Sequence, residues 1–183
     1  MIIKGLNCLG MMGSSTFGGV ELSLIHTDGI DIAERKKSCV IPYPNELKEK
    51  IQSIWGLKRD EDNNEEKLQD VDMEVSQFYV KIINDFIEEC GEHVDLIGTE
   101  GITVLHNPNI KYTYQLGNGR FIAKNTGIKT VTHFRNADIV SGGQGTPISS
   151  TYFNSLSNNE VKVKVEDKII NVIGNGTVWI SSF

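Results

Sequence analysis

Apolar residues repeat with two periods along this chain. Ile2 to Met12 is a short apolar run that fits a buried strand. Val20, Leu22 and Leu24 then alternate with Glu21 and Ser23, the period of two of a half-buried second strand. Asp28-Gly29 is a type I′ hairpin signal leading to a third strand at Ile30–Ala33. Between the first two strands, Gly13-Ser14-Ser15-Thr16-Phe17-Gly18-Gly19 is a loop by composition. The opening is therefore a β-meander whose first turn is rich in glycine and hydroxyls.

Helical spacing follows. Pro44 suits a first helical position, Leu47, Ile51, Ile54 and Trp55 share a face, and Gly56 can close the helix. Leu57 to Val71 is crowded with charge, including Lys58, Arg59, Asp60, Glu61, Asp62, Glu65 and Glu66, and is expected to be a solvated loop. Val75, Phe78/Tyr79, Ile82/Ile83, Phe86/Ile87 and Cys90 then predict the clearest helix, over 73–90, with Asp72 as its cap and Gly91 as its stop. Further strands are predicted at Val94–Gly98, at Tyr112–Leu116 and within Thr126–Phe134, followed by a second Gly-rich loop at Ser141–Pro147. Val161, Val163 and Val165 alternate with Lys162 and Lys164, and apolar runs at Ile169–Ile173 and Val178–Ile180 come after them. A meander this short cannot bury a sheet face alone, so 1–157 is expected to form one lobe and 158–183 the first strands of an incomplete second lobe.

Composition narrows the function classes. Among 183 residues, 18 Lys and Arg stand against 24 Asp and Glu, a net charge of −6 that argues against a reader of nucleic-acid phosphates or a binder of anionic membranes. No stretch approaches the apolar length of a membrane span, and the start lacks the basic and apolar regions of a signal peptide. Cys8, Cys39 and Cys90 are an odd count without C-x-x-C spacing and read as reduced residues, so a cytoplasmic protein is expected.

Two loops carry candidate chemistry. Glycine lets backbone N–H groups approach an anion, so the loop after the first strand is a candidate phosphate site, although it has no Gly-Lys-Ser/Thr and leads into a strand rather than a helix. A glycine-rich turn between antiparallel strands is how the actin/hexokinase type of nucleotide site holds phosphates; a plain hairpin turn is the alternative. Gly142-Gly143-Gln144-Gly145 is the second loop, with an amide suited to sugar hydroxyls, preceded by Arg135 and Asp138. Its alternative is a surface loop with a helix cap. His26, His93, His106 and His133 show no ligand spacing, so no metal ligand set is assigned from the residues.

The order of these pieces resembles the N-terminal half of the anhydro-N-acetylmuramic acid kinase family. Gly10-Met11-Met12-Gly13-Ser14-Ser15-Thr16-Phe17-Gly18-Gly19-Val20-Glu21 is similar to its G-x-M-S-G-T-S-L-D-G-V-D motif, and Val40-Ile41-Pro42 to its Ile-Pro segment. Ile97-Gly98-Thr99-Glu100-Gly101-Ile102-Thr103-Val104-Leu105-His106-Asn107-Pro108 resembles I-G-x-H-G-Q-T-V-x-H-x-P. The best-kept stretch, His133 to Pro147, resembles D-F-R-x-x-D-x-A-x-G-G-Q-G-A-P, and Asn171–Thr177 faintly follows N-I-G-G-I-A-N.

The resemblance implies an α/β, actin/hexokinase-like (ribonuclease H-like) lobe, a mixed sheet with flanking helices and a truncated second lobe. It implies ATP with Mg²⁺ as cofactor and an anhydro-amino sugar as substrate, opened with water to N-acetylmuramate 6-phosphate in cell-wall recycling. Ser14, Ser15, Thr16, Gly18, Gly19 and Glu21 then fall on the cofactor side, and Glu100, Arg135, Asp138 and Gln144 on the substrate side. The family's catalytic Asp lies in a D-T-G-P-G-N motif beyond this chain, so no catalytic residue is assigned, and the partners implied are a C-terminal half as a separate chain and a homodimer. Gly18 stands where the family has a metal-holding Asp, Glu100 and Ile102 where it has His and Gln, and His133 where it has Asp. Apolar framework kept and polar positions changed suit a lobe inactive alone; one subunit of a split kinase, or a non-catalytic sugar- or partner-binding protein, are the alternatives.

Overall fold

A computed structural model describes residues 5–14, 16–29, 33–57 and 64–149, together with two later strands, 160–165 and 168–173. By internal contacts the chain divides into two compact units, Met1–His133 and Phe134–Phe183. The expected lobe boundary at 157/158 lies outside the described residues, as do Ser15, Ile30–Ile32 and the apolar run at Val178–Ile180.

The first unit is built on a five-stranded mixed sheet of order β3-β2-β1-β4-β7. Strands β1 (Leu6–Gly13), β2 (Val20–Thr27) and β3 (Ala33–Ile41) form the antiparallel meander, while β4 (Leu96–Thr99) runs parallel to β1 and β7 (Lys129–Val131) parallel to β4. The period of two sets the faces: Leu9 and Met11 of β1, Val20, Leu22 and Leu24 of β2 and Ile97 of β4 all turn into one core. Helices α1 (Asn45–Ser53), α2 (Asn64–Cys90) and α3 (Gly119–Thr126) add Leu47, Ile51, Val75, Tyr79, Ile83 and Ile122 to that core. A two-stranded ribbon, β5 (Ile102–Asn107) and β6 (Tyr112–Leu116), closes it with Ile102, Val104 and Leu116. The mixed sheet with flanking helices is the α/β architecture expected of an actin/hexokinase-like lobe.

Several elements differ from the sequence pattern. The acidic stretch expected as a loop is helical from Asn64 onward, because Leu68 and Val71 extend the buried face of Val75, and Glu65 and Glu66 sit in the first turn where the helix dipole favours negative charge. Asp72 is therefore inside α2 and not its cap. The stop at Gly91 holds: its φ is 63° and its N–H donates to the Ile87 carbonyl. Pro44 precedes α1 as its N-cap, and Trp55 leaves the α1 face to meet Phe17 edge-on at 5.4 Å between ring centroids. Strand β5 and helices α3 and α4 (Phe134–Val140) have no counterpart in the predicted elements. In the second unit, α4 leads to the Gly-rich loop, and β8 (Glu160–Val165) pairs antiparallel with β9 (Lys168–Ile173) as the alternation predicts.

Candidate functional site

The turn between β1 and β2 is closed from within. Ser14 donates its N–H to the Gly19 carbonyl at 2.9 Å, Phe17 donates to the Ser14 carbonyl at 3.2 Å, and Thr16 donates to Ser14 Oγ at 3.2 Å. The Ser14 and Thr16 hydroxyls lie 2.8 Å apart and remain at the surface. A phosphate at this turn would meet those hydroxyls, since the amides of Ser14, Thr16 and Phe17 are already engaged. Gly19 is required by the backbone: its φ is 145° and a Cβ would lie 2.5 Å from the Ile41 carbonyl oxygen. Gly18 is not required, because a Cβ there meets nothing nearer than Thr16 Oγ1 at 3.9 Å and Ser14 Oγ at 4.0 Å. Glu21 is exposed on the sheet face opposite the core. No group of three or more His, Cys, Asp or Glu that could hold a metal ion stands together among the described residues.

Beneath the turn lies a polar floor that the sequence motifs do not signal. Gly13 is pressed against the Tyr43 and Tyr79 hydroxyls and Ile102, leaving no room for a side chain. Both hydroxyls are buried without a well-aligned hydrogen bond. Burial pushes the Tyr43 phenol up to about 12, although the Tyr79 hydroxyl and the Ser14 backbone pull it back. Tyr79 is pushed well above the ordinary phenol range by burial first, then by Tyr43, with the Asp72 carboxylate adding to it.

Asp72 and Ser76, one turn apart on α2, grip the turn that begins α3. Gly117 donates its N–H to Asp72 Oδ1 at 2.6 Å, and Asn118 donates its N–H to Ser76 Oγ at 2.7 Å. The Asn118 side chain caps α3 by accepting from the Arg120 and Phe121 amides. Burial raises the Asp72 carboxyl above the usual range, against the Gly117 N–H and the nearby His133, which lower it. His133 itself takes a left-handed backbone, φ 66°, a conformation histidine shares with Asp and Asn.

Glu100 and Ile102 flank Gly101 between β4 and β5. Glu100 is 8% exposed, and Ile102 is fully buried in the core. Gly101 has φ 72°, and any Cβ would collide with the Leu116 carbonyl oxygen of β6.

In the second unit, Arg135 and Asp138 act on the loop that follows them. Arg135 Nη1 donates to the Gly145 carbonyl at 2.9 Å, and the Gly145 N–H donates to Asp138 Oδ2 at 2.7 Å. Both backbone polar groups of Gly145 are thus held by side chains of α4. Asp138 also lies where a Cβ on Gly143 would be. Gln144 stands exposed at the tip of this loop. The structure therefore brings Ser14, Thr16, Gly18 and Gly19 together in one turn, and Arg135, Asp138 and Gln144 together in another, in the other unit. Asp72, Ser76, Tyr43 and Tyr79 are the residues that sequence motifs alone passed over.

Comparison with known proteins adds the following. The sequence model of the anhydro-N-acetylmuramic acid kinase family matches residues 6–180. An anhydro-N-acetylmuramic acid kinase of Paramagnetospirillum magneticum is 30% identical over 177 residues, 94% of this chain and 47% of that protein. One from Rhizobium etli is 33% identical over 155 residues, 81% of this chain and 42% of its own length. One from Brucella canis is 30% identical over 157 residues, again 42% of its length. The chain spans about half the length of the curated relatives it matches.

Proposed function

Because this chain belongs to the anhydro-N-acetylmuramic acid kinase family and spans about half the length of the relatives it matches, we propose that it is an N-terminal lobe that performs no phosphoryl transfer alone. In this reading the Ser14–Gly19 turn faces the phosphates of ATP, and the Gln144 loop belongs to the wall for an anhydro-amino sugar. Arg135 and Asp138 serve that wall by holding the backbone of Gly145 rather than by touching sugar directly. Phosphoryl transfer depends on positioning and on stabilising charge from both sides of the transferred group, so one wall leaves the reaction unassisted.

The observation that carries the proposal is the treatment of the Gly18 and Ile102 positions. The turn keeps Gly19, which its backbone requires, while Gly18 supplies space without a carboxylate, and Ile102 is committed to the core. Framework is retained where the backbone demands it, and polar chemistry is not.

A transfer assay tests this. The purified chain, with labelled ATP, Mg²⁺ and anhydro-N-acetylmuramic acid, is expected to give no phosphorylated sugar above a blank without protein. Turnover by the chain alone overturns the proposal. The self-closed turn and its required Gly19 favour a second reading, a subunit of a split kinase. Turnover appearing only when the C-terminal half of a relative is added would select that reading.

A further inference from the structure

Tyr43 comes two residues after β3, and Tyr79 lies in the middle of α2. Their hydroxyls converge beneath Gly13, the last residue of β1, where the turn begins. Tyr43 is 6% exposed and Tyr79 fully buried, yet neither hydroxyl has a well-aligned partner among the described residues. The polar groups that act on Tyr43 are the Tyr79 hydroxyl and the Ser14 backbone. A buried hydroxyl without a partner is costly, and phenylalanine at either position would fill the same space without that cost. Two such oxygens side by side call for a state of the protein in which they are used.

The rings themselves are clamped. Tyr43 packs on Phe78 at 5.9 Å between centroids, Phe78 on Tyr79 at 6.4 Å, and the Tyr79 ring lies against Gly117. The turn above them is the part that can move. Its closing bonds are local: the Ser14 N–H to the Gly19 carbonyl at 2.9 Å, and two at the long end of the range, Phe17 to the Ser14 carbonyl and Thr16 to Ser14 Oγ, both 3.2 Å. Gly13, Gly18 and Gly19 bring no side chain that would oppose a shift.

We propose that Tyr43 and Tyr79 are positioning residues that hold an opened form of the turn when it carries the phosphates of Mg²⁺-ATP. The proposal rests on the reading of the turn as the phosphate-facing element. In the opened form the Tyr43 hydroxyl enters between the closing pair, accepting from the Ser14 N–H and donating to the Gly19 carbonyl. The Tyr79 hydroxyl donates to the same Tyr43 oxygen, so the buried groups of the floor gain their partners together. Widening the turn also releases the Thr16 and Phe17 amides, which then face the anion beside the Ser14 and Thr16 hydroxyls. The closed turn spends those amides on itself, and the opened one gives them to the ligand. Phosphate therefore shifts the balance because it is bound better by one form than by the other.

Tyr43→Phe and Tyr79→Phe test this, since each keeps the ring and removes the oxygen. Thermal melting and phosphorus-31 NMR titration with Mg²⁺-ATP are measured on the whole chain. Both variants are expected to melt at or above the parent, because an unpaired buried hydroxyl is gone from the closed form. Both are expected to bind Mg²⁺-ATP about three- to tenfold more weakly, because the bonds removed exist only in the loaded form. The double variant should bind no more weakly than Tyr43→Phe, as Tyr79 acts through the Tyr43 oxygen. A role in the resting framework alone moves melting and leaves affinity where it was. Lower melting points, or unchanged affinity, overturn the proposal and leave the phosphate reading of the turn standing. A parent chain that shows no binding of Mg²⁺-ATP at millimolar concentration removes both.

Discussion

Gly101 offers the most direct test of the framework that positions the candidate site. Replacing it with alanine forces a left-handed backbone, φ 72°, on a residue with a Cβ, and drives that Cβ into the Leu116 carbonyl oxygen. The first effect destabilises by about 1–2 kcal/mol. The second cannot be relieved by rotating a side chain, because the obstacle is the backbone of β6, so the β5–β6 ribbon must shift against a core that includes Ile102 and Leu116. Overpacking of this kind typically adds about 1–3 kcal/mol. The expected loss is about 3 kcal/mol, which for a chain of this size lowers the melting temperature by about 6–12 °C. Urea unfolding followed by far-ultraviolet circular dichroism measures it, with Gly10→Ala as the control whose new methyl meets only an ordinary contact. A loss below about 1 kcal/mol for Gly101→Ala, the low end of the backbone term alone, would refute the reasoning.

Gly18→Asp is expected to leave stability within about 0.5 kcal/mol, since the position is open and not left-handed, and to tighten Mg²⁺-ATP binding about tenfold or more by calorimetry, about 1.4 kcal/mol; unchanged binding argues against a phosphate role for the turn. Asp72 carries a carboxyl raised by burial, so the folded state prefers it protonated, and its contribution to stability falls as pH rises from the unfolded carboxyl's range through the raised folded value. Asp72→Asn, which keeps an acceptor for the Gly117 N–H, is expected to flatten that slope and to be at least as stable at neutral pH, whereas Asp72→Ala should lose about 1–3 kcal/mol by orphaning that N–H. Thermal melts from pH 4 to 8 distinguish the three proteins, and a steeper slope for Asp72→Asn would contradict the assignment.

The meander and the face of α2 were legible in the sequence because each is written in a local period. The start of α2 was hidden by its own charge: Glu65 and Glu66 look like solvated loop, yet Leu68 and Val71 continue the stripe of Val75 at helical spacing. Strand β5 was legible in principle, since Ile102 and Val104 alternate inward, but it is short and lies inside a motif. Helix α3 buries little beyond Ile122, too little for a periodic signal. The candidate site divides the same way. The Ser14–Gly19 turn and the Gly145 loop advertise themselves by glycine, whereas Asp72 and Ser76 gain their meaning from Gly117 and Asn118, more than forty residues away. Spacing on one helix cannot name a tertiary partner.

The edge-on contact of Phe17 with Trp55 has an optical consequence. Phe17 holds φ 59° at the crest of the β1–β2 turn, a conformation bulky residues seldom adopt, and its ring is fastened to an indole just past the end of α1. Trp55 is 44% exposed, and the chain has only one other tryptophan, Trp179. Any anion that reshapes the turn must move the Phe17 ring and with it the surroundings of that indole. The emission of Trp55, isolated by a Trp179→Phe background, therefore makes the protein its own fluorescent gauge of what the turn is holding.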